Sequence, residues 1–158
     1  MQATFREAFV YEWILLAHLI GAATLFGGHV YLEALMASAG REKDRSVYMS
    51  TMLRASKTSA RIMGPASIIT LIFGVWLVFD VRWEFEELFV AVGFVVIIAA
   101  ITVSLFLMNP KMKEIDEAVE ENGLTDEGAL ATMKSLGNLA HVQTLLIAVA
   151  FIVMVFKP

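Results

Sequence analysis

The chain has 158 residues, 58% of them hydrophobic, and a mean hydropathy of +0.71. Soluble domains are about half apolar, so this composition sets it apart from an ordinary water-soluble globule and fits one integral membrane domain over residues 1–158. Net charge is −4 and cysteine is absent, which excludes structural disulfides, thiolate metal sites and thioether-attached haem.

Apolar runs of about 20 residues read as bilayer spans, and four occur, at about 10–39, 62–81, 88–108 and 136–156. The expected fold is all-α, a four-transmembrane-helix bundle. A soluble bundle would carry a polar stripe on each helix, and "LLIAVAFIVMVF" at 145–156 has none. The first span begins near Phe5 and ends near Gly40. Its "ASA" at 37–39 looks like a signal-peptide cleavage site. The run is far longer than the usual apolar region of about 7–15 residues. Glu7 and Glu12 also oppose Arg6 at its start, so the segment reads as a retained span.

Residues 41–61 lack proline and glycine and suit a helical extension, with Arg54, Lys57 and Arg61 spaced to share one face. "GP" at 64–65 falls just inside the second span, where a first helical turn tolerates proline. "DVRWEFEE" at 80–87 is a short connection whose Trp83 suits the aromatic belt. "NP" at 109–110 is expected to end the third span. "KMKEIDEAVEENGLTDEGALATMKS" then reads as an amphipathic surface helix with a solvated acidic face, broken at Asn122-Gly123 and restarted at Thr125.

The placement of charge sets the topology. Arg41, Lys43, Arg45, Arg54, Lys57 and Arg61 lie in the first connection, and Lys111, Lys113 and Lys134 in the third, which makes nine cations on one side. Only Arg6, Arg82 and Lys157 lie on the other. The positive-inside rule assigns the nine-cation side to the cytoplasm and both termini to the opposite side.

Ionisable residues inside spans are costly and point to function. Here they are His18, His29, Glu33 and His141, and no histidine lies in a loop. A helix turns about 100° per residue, so His18 and His29 share one face of the first span, roughly 16 Å apart along it. That is too far to share a metal. His29 lies roughly 15 Å, and His141 roughly 10 Å, from the cationic ends of their spans. Two imidazoles at similar depth on neighbouring helices are the usual way to hold six-coordinate haem b. Gly21, Ala22, Leu25 and Gly28, with Gly137, Thr144 and Ala148, would leave room for the macrocycle. Arg54, Lys57 and Arg61 are candidates for the propionates. The plainer alternatives are that small residues pack helices closely, that the cations only set topology, and that the histidines bridge helices.

"LAHLIGAATLFGGHVYLEALM", the basic connection and "GPASIITLIFGVWLV" together resemble the copper resistance D-like membrane proteins, and in particular their small four-helix branch. A more distant similarity is to the HemJ-type protoporphyrinogen oxidases, which bind haem b. The resemblance implies that His18, in the "LH" pattern, is a haem ligand, and it places His29 after the "GG". It further implies a multi-pass protein of a bacterial or archaeal plasma membrane.

The expected function is that of a haem b-binding, cytochrome b-like membrane protein in electron transfer or redox chemistry. His29 and His141 are its first candidate ligands. A second haem at His18 would lack a histidine partner within one chain and would be five-coordinate, or use Met154 or a second copy of the chain. Expected partners are the lipid bilayer, a quinone or similar small redox molecule and a homodimer partner, with no nucleic acid. The rivals are a copper-handling transporter and a structural membrane protein. Against the first, the methionines are scattered and none of the histidines begins an H-x-x-M motif. No general acid–base pair stands out to define an enzyme.

Overall fold

The computed structural model describes residues 2–81, 83, 84 and 87–157, with the backbone alone for residues 2–8 and 81. Arg82, and the side chain of Arg6, therefore lie outside the described residues. The described chain is all helical: α1 Gln2–Ala39, α2 Arg45–Val81, α3 Leu88–Val103, a π-helical turn Ser104–Met108, α4 Asn109–Asn122 and α5 Glu127–Phe156. α1 packs along α2, α2 touches α3, α3 packs on α5 and α5 returns to α1, so four rods close a ring. Four helices are long and apolar enough to cross a membrane. Large apolar side chains such as Trp76, Val95 and Leu145 point outward from them, as expected when lipid is the solvent.

The first connection is indeed helical, because nothing in residues 45–61 interrupts it. At ~1.5 Å per residue α2 reaches roughly 55 Å, well beyond a hydrocarbon core of about 30 Å. Its first half therefore stands outside the bilayer. Asp44 starts it: Oδ1 accepts from the backbone N–H of Ser46 at 2.8 Å and from the Ser46 hydroxyl at 2.7 Å. This early start corrects the expected place of Pro65, which lies in the interior of α2 rather than in a first turn.

Pro110 likewise does not end a helix. A proline ring collides with the carbonyl four residues back, here that of Phe106, inside the π-helical turn. The wider turn removes the collision, and the Asn109 N–H reaches back five residues to the Ser104 carbonyl. α3 thus runs on into α4, the expected amphipathic helix. Gly123, at φ 88°, takes the positive-φ backbone that stops α4. The restart comes one residue later than expected: Asp126, not Thr125, caps α5, accepting from the Ala129 N–H at 2.7 Å.

The densest core lies at the cationic end, where α2, α4 and α5 bury Met49, Ile115 and Met133 almost completely. Lys57 of α2 meets Asp116 of α4 at 2.8 Å, and Arg45 pairs with Glu127 at the start of α5. The acidic face of α4 is otherwise exposed, as expected of a solvated surface. The opposite end of the ring is packed less tightly and holds a cavity.

Candidate functional site: two polar stations along α1

α1 is one uninterrupted helix, so His18 and His29 stand at separate stations roughly 16 Å apart. Each station bonds a different neighbouring helix.

At the first, His18 Nδ1 donates to the backbone carbonyl of Thr70 on α2 at 2.9 Å. A carbonyl can only accept, so Nδ1 carries a proton, and in the neutral ring Nε2 keeps its lone pair. Space for the ring comes from Gly74, where a Cβ would stand 3.1 Å from His18 Cε1. His18, Thr70 and Gly74 line one wall of a cavity of about 350 Å³, and Gly93 of α3 with Phe151 and Met154 of α5 line another. Gly93 makes room for Met154, whose methyl group would collide with any Cβ there. Lys157 also borders the cavity, its Nζ 4.4 Å from the centroid of Trp83 and 5.6 Å from that of Phe89. The lining is mostly apolar; His18, Thr70, Trp83, Met154 and Lys157 are its side chains that carry a nitrogen, oxygen or sulfur atom.

At the second station His29 is buried against α5, with Nδ1 3.2 Å from Thr144 Oγ1. The Thr144 hydroxyl gives its one proton to the Ala140 carbonyl at 2.9 Å. It can therefore only accept from His29, and in the neutral ring Nε2 is here too the nitrogen without a proton. One turn along α1, Glu33 Oε2 pairs with His141 Nδ1 of α5. The other carboxylate oxygen, Oε1, is buried and has no hydrogen-bond partner among the described residues. His141 itself is half exposed, on the flank of the bundle.

The structure thus brings His29 and His141 to one α1–α5 seam, but neither ring takes the other as its partner. Gly21 and Gly28 face α2 rather than a slot beside His29: a Cβ would stand 2.5 Å from Thr70 Oγ1 at the first and 3.1 Å from Met63 Cγ at the second. Gly137 faces Met36. Of the three candidate propionate cations, Lys57 is held by Asp116, Arg61 is exposed, and Arg54 borders a hollow between α1 and α2. Among the described residues no three His, Asp or Glu side chains converge to hold a metal ion.

Several contributors carry little signal in sequence. Gly74 and Gly93 look like any glycine in a span, and the Thr70 carbonyl is backbone. Gln143 is buried and donates from Nε2 to the Ala100 carbonyl at 3.0 Å, tying α5 to the helix just before the π-helical turn. A lone amide amid apolar residues is visible in sequence, but its partner is not.

The family of predicted integral membrane proteins named DUF2269 matches residues 12–158. The chain belongs to that family. The match spans all four membrane helices and both stations. No curated protein and no solved structure matches.

Proposed function

We propose that the protein binds haem b in the cavity beside His18 and passes electrons to or from a small membrane-soluble partner such as a quinone. The observation that carries this reading is the bond from His18 Nδ1 to the Thr70 carbonyl. Metal-ligating histidines characteristically donate their other ring N–H to a carbonyl or carboxylate, which fixes the ring and leaves Nε2 free to ligate. The residues fit the group. Gly74 and Gly93 let the His18 ring and the Met154 methyl lie close against α2 and α3, and the volume falls in the usual range for small-molecule sites, about 300–1,000 Å³.

His18 Nε2 would hold the iron. Met154, on another wall, offers a thioether, a donor that favours a higher potential than a second histidine. Lys157 supplies a cation for an acidic substituent. Bound there, haem supplies one-electron chemistry, and the apolar walls exclude water from it. His29, with its own free Nε2, and His141 form a second candidate pair for a second haem. The resemblance to copper resistance D-like and HemJ-type proteins supports the same assignment of His18. With the cationic end in the cytoplasm, the cavity faces the outer half of a bacterial or archaeal plasma membrane and both termini lie outside.

Two other readings have observations behind them. An imidazole nitrogen and a thioether on one cavity also suit cuprous copper, which fits a copper-handling transporter. All three histidines bond a neighbouring helix through Nδ1, which fits a purely structural role. The visible spectrum of protein purified with ample haem supply separates the three. Expected is a Soret band with sharp reduced α and β bands, lost in His18→Ala and altered in Met154→Leu. A colourless protein overturns the proposal, and elemental analysis for copper then distinguishes the other two. Loss of the bands in His29→Ala or His141→Ala, with His18→Ala unchanged, moves the haem to the second station.

A further inference from the structure

The second hollow, of about 340 Å³, lies between α1 and α2 toward the cationic end. Its upper part is lined by Thr51, Arg54, Thr58 and Ser59 of α2, with Tyr31 of α1 beside them. Its lower part, nearer the middle of the bundle, is lined by Ile62, Met63 and Gly28. From Thr51 to Ile62 the lining runs roughly 16 Å along the helix; its hydroxyls and Arg54 gather in the upper part, beside Leu35 and Ala55, and the part nearer the middle of the bundle is apolar. That arrangement matches a lipid molecule, with its headgroup above and its chains below.

The polar groups here are unused. Arg45 and Lys57, on either side of Arg54, are paired with Glu127 and Asp116. Arg54 has no hydrogen bond or ion pair among the described residues, although its planar fork is suited to a phosphate. Hydroxyls deeper in the spans are spent on their own helices: Thr24, Ser67, Thr70, Thr102 and Thr144 each donate to the carbonyl four residues back. Thr51, Thr58 and Ser59 make no such bond among the described residues and leave their donors to the hollow.

We infer that this hollow is a binding site for an anionic phospholipid, its phosphodiester on Arg54 and the neighbouring hydroxyls and an acyl chain along Ile62, Met63 and Gly28. The phosphate chemistry could equally recognise free inorganic phosphate. The apolar lower half, and an end that carries nine cations to attract an anionic leaflet, commit the site to lipid. The site stands apart from the cavity beside His18 and does not rest on haem.

The test reconstitutes the full chain into phosphatidylcholine vesicles with and without phosphatidylglycerol, extracts it gently and reads retained phospholipid by native mass spectrometry. Expected is selective retention of phosphatidylglycerol that survives added inorganic phosphate. Arg54→Gln should lower retention about tenfold, the loss of one charge-assisted contact. Arg54→Lys should fall between, keeping charge without the fork, and Lys43→Gln, at the same end but outside the lining of the hollow, should lower retention far less than Arg54→Gln. The Thr58→Ala, Ser59→Ala double variant keeps the arginine and should show a smaller loss of the same sign. Equal retention of phosphatidylcholine, or Arg54→Gln retaining as much phosphatidylglycerol as the parent, overturns the site. Displacement by inorganic phosphate overturns its assignment to lipid.

Discussion

The two ends of the bundle solve different packing problems. At the cationic end, the first half of α2, α4 and the start of α5 stand outside the hydrocarbon and close over Met49, Ile115 and Met133, which water would otherwise reach. There the hydrophobic effect acts at full strength, and the packing is tight. At the other end the same ring of helices encloses a cavity of about 350 Å³ lined by His18, Gly74, Gly93 and Met154. Lipid is as apolar as leucine, so little drives those walls together. The lesson is a division of labour: the watery end holds the helices in register, and the membrane end is free to keep a space for a ligand.

That contrast can be broken at its strong end first. Ile115→Ala removes a fully buried side chain from the dense core, and we expect a loss of about 2–5 kcal/mol in unfolding stability in detergent. Gly74→Val fills the cavity instead. It pushes on the His18 ring, and an overpacking cost of about 1–3 kcal/mol is expected, together with loss of most of the visible bands of the haem proposed for the cavity. If Ile115→Ala strips the haem while Gly74→Val leaves it, the two ends do not divide the work as argued.

What the sequence made legible follows the strength of each physical signal. Four apolar runs, the helical extension of α2 and the amphipathic α4 are set by composition and periodicity, and the structure has them all. Pro65 and Pro110 read as helix boundaries but lie within continuous helix, because the rule for proline is local. Whether a longer helix or a π-helical turn absorbs the ring depends on where the helix begins and what packs on it. The histidines were conspicuous, yet their partners were not. Equal depth suggested that His29 faces His141, but depth along a helix says nothing of rotation about it. Thr144 and Glu33 are the partners that the rotation selects. His18 stood without a partner in the sequence because it bonds a backbone carbonyl and borders its cavity beside glycines, none of which stands out among apolar residues.

The α1–α5 seam lies between the two ends and should respond weakly. Thr144→Val keeps the shape of the side chain and removes the acceptor for His29. Hydrogen bonds between membrane helices average about 0.6 kcal/mol, so we expect a loss of that order, with the fold and the cavity ligand unaffected. A loss several times larger would make His29 a keystone of the bundle, and would shift weight from the cationic end to its middle.

The smallest effect belongs to the cap that starts α2. The Ser46 hydroxyl, then the backbone N–H groups of Ser46 and Val47, hold the Asp44 carboxyl below its ordinary 3.8. A carboxyl whose folded value is depressed binds its proton more readily when unfolded, so its contribution is complete above the unfolded value. It is lost as pH falls below 3.8 and through the lower folded value. Asp44→Asn should therefore match the parent near neutral pH, since asparagine caps about as well. It should also lose less stability than the parent as unfolding is followed into acid. Asp44 tethers the long first half of α2, which carries Met49 and Met52 into the dense core. Its acid response thus reports on the cationic end alone. If the haem proposed for the cavity also responded to Asp44→Asn across that pH range, the two ends would be coupled through α2 rather than independent.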